Sequence, residues 1–106
     1  MNRYAIACYR PKPGRENDLL ALVREHQPTL RAEGLAGDGP PWVMRAEDGT
    51  VIEVFEWRSL EAKDTAHRNP AVQALWGRMT ECAEFPPLSA LTETQRPFAS
   101  FEAIAP

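Results

Sequence analysis

Short runs of apolar residues, many of them β-branched or aromatic, occur at three places in the chain. They span residues 4–9, 42–46 and 50–57, and turn-forming residues follow each run. Such runs predict β-strands. A Gly-containing turn, Glu47-Asp48-Gly49, separates the second and third runs, which indicates a β-hairpin. A weaker run at residues 98–104 predicts a last strand.

Two further stretches carry apolar residues at spacings of three and four, the pattern of amphipathic helices. The first begins at Glu16, and Gly34 fits the position that closes it. Pro28 lies inside this stretch and either kinks one helix or divides it into two. Its recurring positions are Leu19, Leu22, Val23, His26 and Leu30.

The second helical stretch starts after Ser59, a good N-cap residue. Asn69-Pro70 restarts it, because Asn caps helices and Pro fits their first position. Its second part has one apolar face formed by Val72, Leu75, Trp76, Met79 and Ala83.

The order of elements is strand, helix, strand, strand, helix and a weak strand. This predicts an α+β, ferredoxin-like β-α-β-β-α-β subunit with two main helices on one face of an antiparallel sheet. Residues 1–106 are expected to form a single domain, with a core at 1–87 and a C-terminal extension at 88–106 that contributes a strand or a dimer contact.

Both faces of the strands at residues 4–9 and 51–57 carry large apolar groups. A face in contact with water would alternate with polar residues. The second face is therefore expected to be covered, and the chain has no predicted helix left to cover it. The pattern predicts a homodimer that packs two sheets face to face.

Charge and composition exclude several classes of function. The formal net charge is −3, and acidic and basic residues are interspersed, which argues against nucleic-acid and anionic-membrane partners. No stretch has the length of a membrane span, and the short apolar N-terminal run does not resemble a signal peptide, so a cytoplasmic location is expected. Cys8 and Cys82 are interpreted as small buried hydrophobic residues, and two isolated histidines predict no metal site.

The ordered set of motifs resembles the antibiotic-biosynthesis-monooxygenase-like group of the dimeric α/β-barrel superfamily. The resemblance covers roughly residues 2–85 and is carried by Lys12-Pro13-Gly14 after the first strand, the hairpin over Asp48-Gly49, and the segments 53–59 and 66–72. It implies a homodimeric barrel with a small pocket between sheet and helices in each subunit. Some members oxidise hydroxylated polycyclic aromatics or quinols with O2 and without a cofactor, and others degrade haem.

The haem-degrading pattern does not fit this sequence. It requires an Asn on the first strand, where Ala7 stands, and a Trp on the second helix, where Ala66 stands. It also requires a haem-ligating His about ten residues further on, at the place of Trp76. Haem degradation is therefore not expected.

His67 is the preferred catalytic candidate, because an imidazole can remove the proton of a phenol or enol near neutral pH. The alternative is a structural His at a helix end. His26, on the apolar side of the first helix, is more typical of a core residue. The candidate substrate-binding residues are Tyr9, Trp42, Arg45, Trp57 and Trp76. Each also has a structural interpretation: core or dimer packing for the aromatic residues, and a solvent-facing position for Arg45.

Two hypotheses follow. The first is a small homodimeric, cofactor-free monooxygenase that acts on a hydroxylated aromatic or quinol, with His67 or Tyr9 ionising the substrate, Arg45 stabilising the anion and the tryptophans shaping the walls. The alternative is a non-catalytic dimeric module that binds a small apolar ligand, which the absence of a tight catalytic motif favours.

Overall fold

The predicted strands and helices form in the predicted order, but an additional short strand, Ala83–Glu84, precedes the last one, and Ala83 belongs to it and not to the helix face. The computed structural model describes residues 2–105. Its elements are β1 (Arg3–Pro11), α1 (Glu16–Ala32), β2 (Trp42–Arg45), β3 (Val51–Trp57), α2 (Leu60–Ala66), α3 (Pro70–Cys82), β4 (Ala83–Glu84) and β5 (Glu102–Ile104). Two short 3-10 turns, Leu88–Ala90 and Thr92–Gln95, lie between β4 and β5.

The strands form one antiparallel sheet in the order β4-β1-β3-β2-β5. β1 pairs with β3 along its length, from Arg3 opposite Trp57 to Tyr9 opposite Val51. β4 pairs only with Arg10 and Pro11, so the rest of that edge of β1 has no neighbouring strand among the described residues. The first four strands have the ferredoxin-like order, and the predicted α+β fold is confirmed.

α1 is a single helix that contains Pro28, so the alternative of two helices is wrong. It ends in a Schellman motif, in which the Gly34 N–H donates to the Arg31 carbonyl at 3.0 Å and the Leu35 N–H to the Leu30 carbonyl at 2.8 Å. Gly34 has φ +73°, which is the left-handed conformation that this motif requires. The predicted closing position of the helix is confirmed.

We expect Gly34→Ala to lower the free energy of unfolding by about 1 kcal/mol, because a Cβ strains the left-handed backbone even though no atom crowds it. Gly77→Ala is the matched control, since Gly77 lies in α3 without positive φ and with equal space for a Cβ. That change should raise stability by about 0.5–1 kcal/mol. Urea denaturation measures both changes. Changes of the same sign in the two variants would contradict the assignment of Gly34 as the residue that closes α1.

The predicted N-caps of α2 and α3 are also confirmed. The Ser59 hydroxyl accepts a hydrogen bond from the Ala62 N–H, and the Asn69 Oδ1 from the Val72 N–H, each at 3.1 Å. Pro70 occupies the first turn of α3. His67, the C-cap residue of α2, lies between these two caps in the chain.

The outer face of the sheet is partly covered by the chain itself, which corrects the expectation that only a second copy could cover it. Leu91 of the C-terminal extension is 1% exposed and packs with Cys8 and Ile52, with Phe101 beside them. The Glu93 carboxylate accepts the Glu47 backbone N–H at 2.8 Å and ties the extension to the hairpin. The extension then adds β5 beside β2.

The other half of the outer face stays exposed in the single chain. Tyr4 is 75% exposed, Ile6 53% and Trp42 70%. On both strands they alternate with less exposed residues, Ala5, Ala7 and Val43, which follows the period of two. In the part of the chain from residue 2 to 105, no helix has both the length and the apolar character needed to cross a membrane.

Candidate functional site

A cavity of about 420 Å³ lies beside the free edge of β1, between the sheet and the helices. Ile6, Ala7, Phe55, Met79 and the segment 85–88 form its apolar walls. Four polar side chains also line it: Tyr9 from β1, His26 from α1, His67 from the end of α2, and Trp76 from α3. An apolar cavity with a few converging polar groups is the usual form of a small-molecule site.

A buried hydrogen-bond network lies behind the cavity wall. Glu53 on β3 has no exposed surface, and its Oε1 lies 2.8 Å from both the Tyr9 hydroxyl and the His26 Nδ1. The His26 Nε2 lies 2.9 Å from the Trp76 Nε1. One chain of contacts thus joins both helix α1 and helix α3 to the sheet.

Proton positions in the network follow from the chemistry of the groups. An indole N–H can only donate, so Trp76 donates to Nε2 of His26. His26 is then neutral and carries its proton on Nδ1, which donates to Glu53. The Tyr9 hydroxyl donates to the same carboxylate oxygen. Two donors on one oxygen stabilise Glu53 as an anion, while its Oε2 has no protein partner among residues 2–105.

Tyr9 stays a protonated donor in this setting. Burial raises the pKa of Tyr9 well above its ordinary value, and the neighbouring charge of Glu53 raises it further. Phe85 packs edge-on against the Tyr9 ring, with 5.6 Å between ring centroids. The proposal that Tyr9 ionises a substrate therefore finds no support, since its proton is held by Glu53 and its phenolate is disfavoured.

The raised pKa of Tyr9 predicts a specific alkaline destabilisation. The folded state holds the phenol proton more tightly than the unfolded state, so the contribution is fully present below pH 10 and is lost as pH rises above it. Tyr9→Phe should flatten the decline of unfolding free energy above pH 10, as followed by urea denaturation. Tyr4→Phe is the matched control at an exposed position, and equal flattening in both variants would contradict the prediction.

His67 lines the cavity, and one of its ring nitrogens already has a hydrogen-bond partner. Its Nδ1 is 2.9 Å from the Lys63 carbonyl, which can only accept, so Nδ1 carries the proton. Nε2 is then left as a lone-pair acceptor when the ring is neutral. The ring packs edge-on against Trp76, with 5.1 Å between centroids. One backbone hydrogen bond and one aromatic contact thus hold the ring in place. His67 can therefore be both a structural residue at the helix end and a catalytic base.

Three of the residues expected at the substrate site lie elsewhere. Trp42 is exposed on the outer face of the sheet, because it shares strand parity with Met44 rather than with Val43. Arg45 binds Glu16 and Glu102 at the far edge of the sheet. Trp57 packs in the core against Phe55, with ring centroids 5.0 Å apart. The structure therefore brings together Tyr9, Trp76 and His67 but not Trp42, Arg45 or Trp57.

Glu53 is the site residue that sequence reasoning missed. It shares its face of β3 with Val51, Phe55 and Trp57, all of them buried against the helices. A single acidic residue on an apolar face requires a buried partner. His26, the polar residue on the apolar face of α1, is such a partner. Since Glu53 and His26 are polar residues on two otherwise apolar faces, their pairing could have been predicted.

Solved structures share this fold. The Rv0793 protein from Mycobacterium tuberculosis is 22% identical, with a TM-score of 0.62 over 100% of this chain and 95% of its own. A candidate antibiotic biosynthesis monooxygenase from Chloroflexus aurantiacus J-10-fl is 17% identical, with a TM-score of 0.60 over 80% of this chain and 84% of its own. A NIPSNAP family protein from Agrobacterium tumefaciens C58 is 22% identical, with a TM-score of 0.55 over 79% and 85%.

At these identities the likeness shows the fold alone. It agrees with the fold that the sequence resemblance implied. No protein-family model and no curated protein sequence matches the chain. Within residues 2–105 there is also no group of three or more His, Cys, Asp or Glu side chains arranged to hold a metal ion.

Proposed function

We propose that this protein is a small cofactor-independent monooxygenase that binds a hydroxylated aromatic or quinol-type substrate in the cavity beside β1. The observation that supports it most is the combination of an apolar cavity of about 420 Å³ with the free Nε2 of His67 at its wall. The apolar walls suit an aromatic ring system, and Trp76 and Phe85 offer edge and face contacts to it.

In this proposal His67 is the general base. Its Nδ1–H is held by the Lys63 carbonyl, so Nε2 accepts the proton of a phenolic or enolic hydroxyl. The ionised substrate then reduces O2 directly. For a hydroxyanthrone the ring CH2 becomes a C=O, one oxygen atom enters the product and the other leaves as water. Tyr9 and Trp76 are the proposed substrate-binding residues in contact with the bound ring.

Oxygen uptake with a panel of hydroxyanthrones and quinols tests this function, with the oxidised product identified by mass spectrometry. Leu88→Trp, at a partly exposed position on the cavity wall, should slow turnover by narrowing the site. Ala90→Trp in the same 3-10 turn, outside the cavity lining, is the matched control. Binding of the same compounds without any oxygen uptake would contradict the enzyme and leave a non-catalytic binding module.

We also propose that two copies associate through the exposed half of the outer sheet face. Support comes from three large exposed side chains, Tyr4, Ile6 and Trp42. Tyr4, Trp42 and Val54 line one groove, and Ile6 lies opposite Val54 on the neighbouring strand. A monomer rarely exposes a contiguous apolar patch of this kind without a use for it.

Light scattering at micromolar concentration should give the mass of a dimer. Ile6→Glu should give a monomer, because it places a charge in the centre of the proposed interface. Ala74→Glu, an exposed change on α3, should leave the dimer intact. A monomeric wild-type chain would rule out the association.

A further inference from the structure

The polar side-chain atoms left free at the cavity are acceptors. Every donor proton of the four lining polar side chains has a partner inside the protein: Tyr9 and His26 donate to Glu53, Trp76 donates to His26, and His67 donates to the Lys63 carbonyl. Among these side chains, the second lone pair of the Tyr9 oxygen and the lone pair of His67 Nε2 remain for a ligand.

The charge around the cavity has a single sign. Glu53 is one hydrogen bond behind the wall, and its Oε2 has no protein partner within the described chain. No lysine or arginine lines the cavity in the part of the chain that the structure describes. A bound carboxylate, phosphate or sulfonate would lie near a buried negative charge, with no free side-chain donor among these four residues and no lysine or arginine to compensate it.

We propose that Glu53 sets the ligand specificity of this cavity: it consumes the protons of Tyr9 and His26, so the site takes a ligand that donates a hydrogen bond and carries no negative charge. This deepens the proposed function and rests on the same cavity. Glu53 does not line the cavity, so it acts through Tyr9 and His26 as a positioning residue.

Three naphthalene derivatives of similar shape test the preference for a hydrogen-bond donor and the exclusion of negative charge separately. 2-Naphthol donates a hydrogen bond, 2-methoxynaphthalene only accepts one, and 2-naphthoate is an anion at pH 7. Equilibrium dialysis of the wild-type chain should show 2-naphthol binding roughly two- to ten-fold more tightly than the methoxy compound, the ordinary value of one hydrogen bond. Naphthoate should bind at least about ten-fold more weakly than 2-naphthol.

Two variants should change the two preferences independently. Glu53→Gln removes the charge but keeps a carbonyl oxygen for Tyr9 and His26, so the penalty on naphthoate should fall several-fold while the preference for 2-naphthol persists. His67→Phe removes the acceptor at an exposed position, so the preference for 2-naphthol should shrink while the penalty on naphthoate persists.

Naphthoate binding to the wild-type chain as tightly as 2-naphthol would overturn the inference, and so would no binding of any probe. The wild-type comparison decides even if Glu53→Gln does not fold. The outcome is also separable from the proposed function, because dialysis requires no turnover. Selective binding without oxygen uptake would support the ligand specificity and contradict the enzymatic function. Oxygen uptake with unselective binding would support the enzymatic function and contradict the ligand specificity.

Discussion

Replacement of His67 by Ala should lower the turnover number by 10²–10⁴-fold on the usual scale for a general base. The substrate must lose a proton before it can reduce O2, and the His67 Nε2 is the free basic nitrogen at the cavity wall, since His26 Nε2 is occupied by Trp76. The Michaelis constant should change much less than the turnover number, because the apolar walls remain.

The control for this variant is Arg68→Ala, at the next exposed position of the same helix end and outside the cavity lining. Steady-state oxygen uptake and urea denaturation would be measured for both variants. His67 is exposed, so its removal should cost less than about 1 kcal/mol of stability. Partial rescue of the Ala variant by added imidazole would identify the missing group as a base. Unchanged turnover would remove His67 from the mechanism.

The fold could be predicted from the sequence because its turns carry local signals. Ser59 and Asn69 cap the helices they precede, and Gly34 has the positive φ that closes α1. The hairpin turn holds Gly49 at φ 92°, and the Asp48 carboxylate accepts the Thr50 N–H at 2.9 Å. Each of these signals acts within a few residues, so the chain alone reveals it.

The path of the C-terminal extension could not be predicted in the same way. Its 3-10 turns have no apolar periodicity, and Leu91 is buried by contact with Cys8 and Ile52, far away in the sequence. Such a contact leaves no local pattern. The strand predicted at 98–104 forms only over Glu102–Ile104, where it pairs with β2.

Only some of the residues at the candidate site could be predicted from the sequence. Both faces of the strands are apolar, so the pattern could not say which face turns toward the helices, and Trp42 lies on the other one. Arg45 does lie on the helix side, but acidic residues from α1 and β5 bind it at the edge of the sheet. His67, at the end of α2, and Trp76, in α3, meet in an edge-on aromatic contact across the Asn69 cap.

Glu53→Leu should be the most destabilising of the single changes considered, with a loss of about 2–4 kcal/mol. The leucine fills a similar volume, so the cost does not come from a cavity. It comes from the buried Tyr9 hydroxyl and His26 Nδ1–H, each of which loses its acceptor at a cost of about 1–3 kcal/mol, offset in part by the apolar burial of the new side chain. Glu53→Gln keeps the acceptor and should cost less.

Removal of the other polar groups of the network should restore stability. In the triple variant Tyr9→Phe, His26→Leu, Glu53→Leu, no buried donor is left without an acceptor except the Trp76 indole, which lines the cavity and is only partly buried. Replacing a whole buried polar network by apolar side chains is often neutral or stabilising. The triple variant should therefore unfold at higher urea concentration than Glu53→Leu alone, with the same dependence on denaturant.

A triple variant less stable than the single one would mean that volume and shape, rather than unpaired donors, determine the cost. The triple variant should also bind 2-naphthoate with a smaller penalty than the wild-type chain, because it lacks the proposed effect of the Glu53 charge.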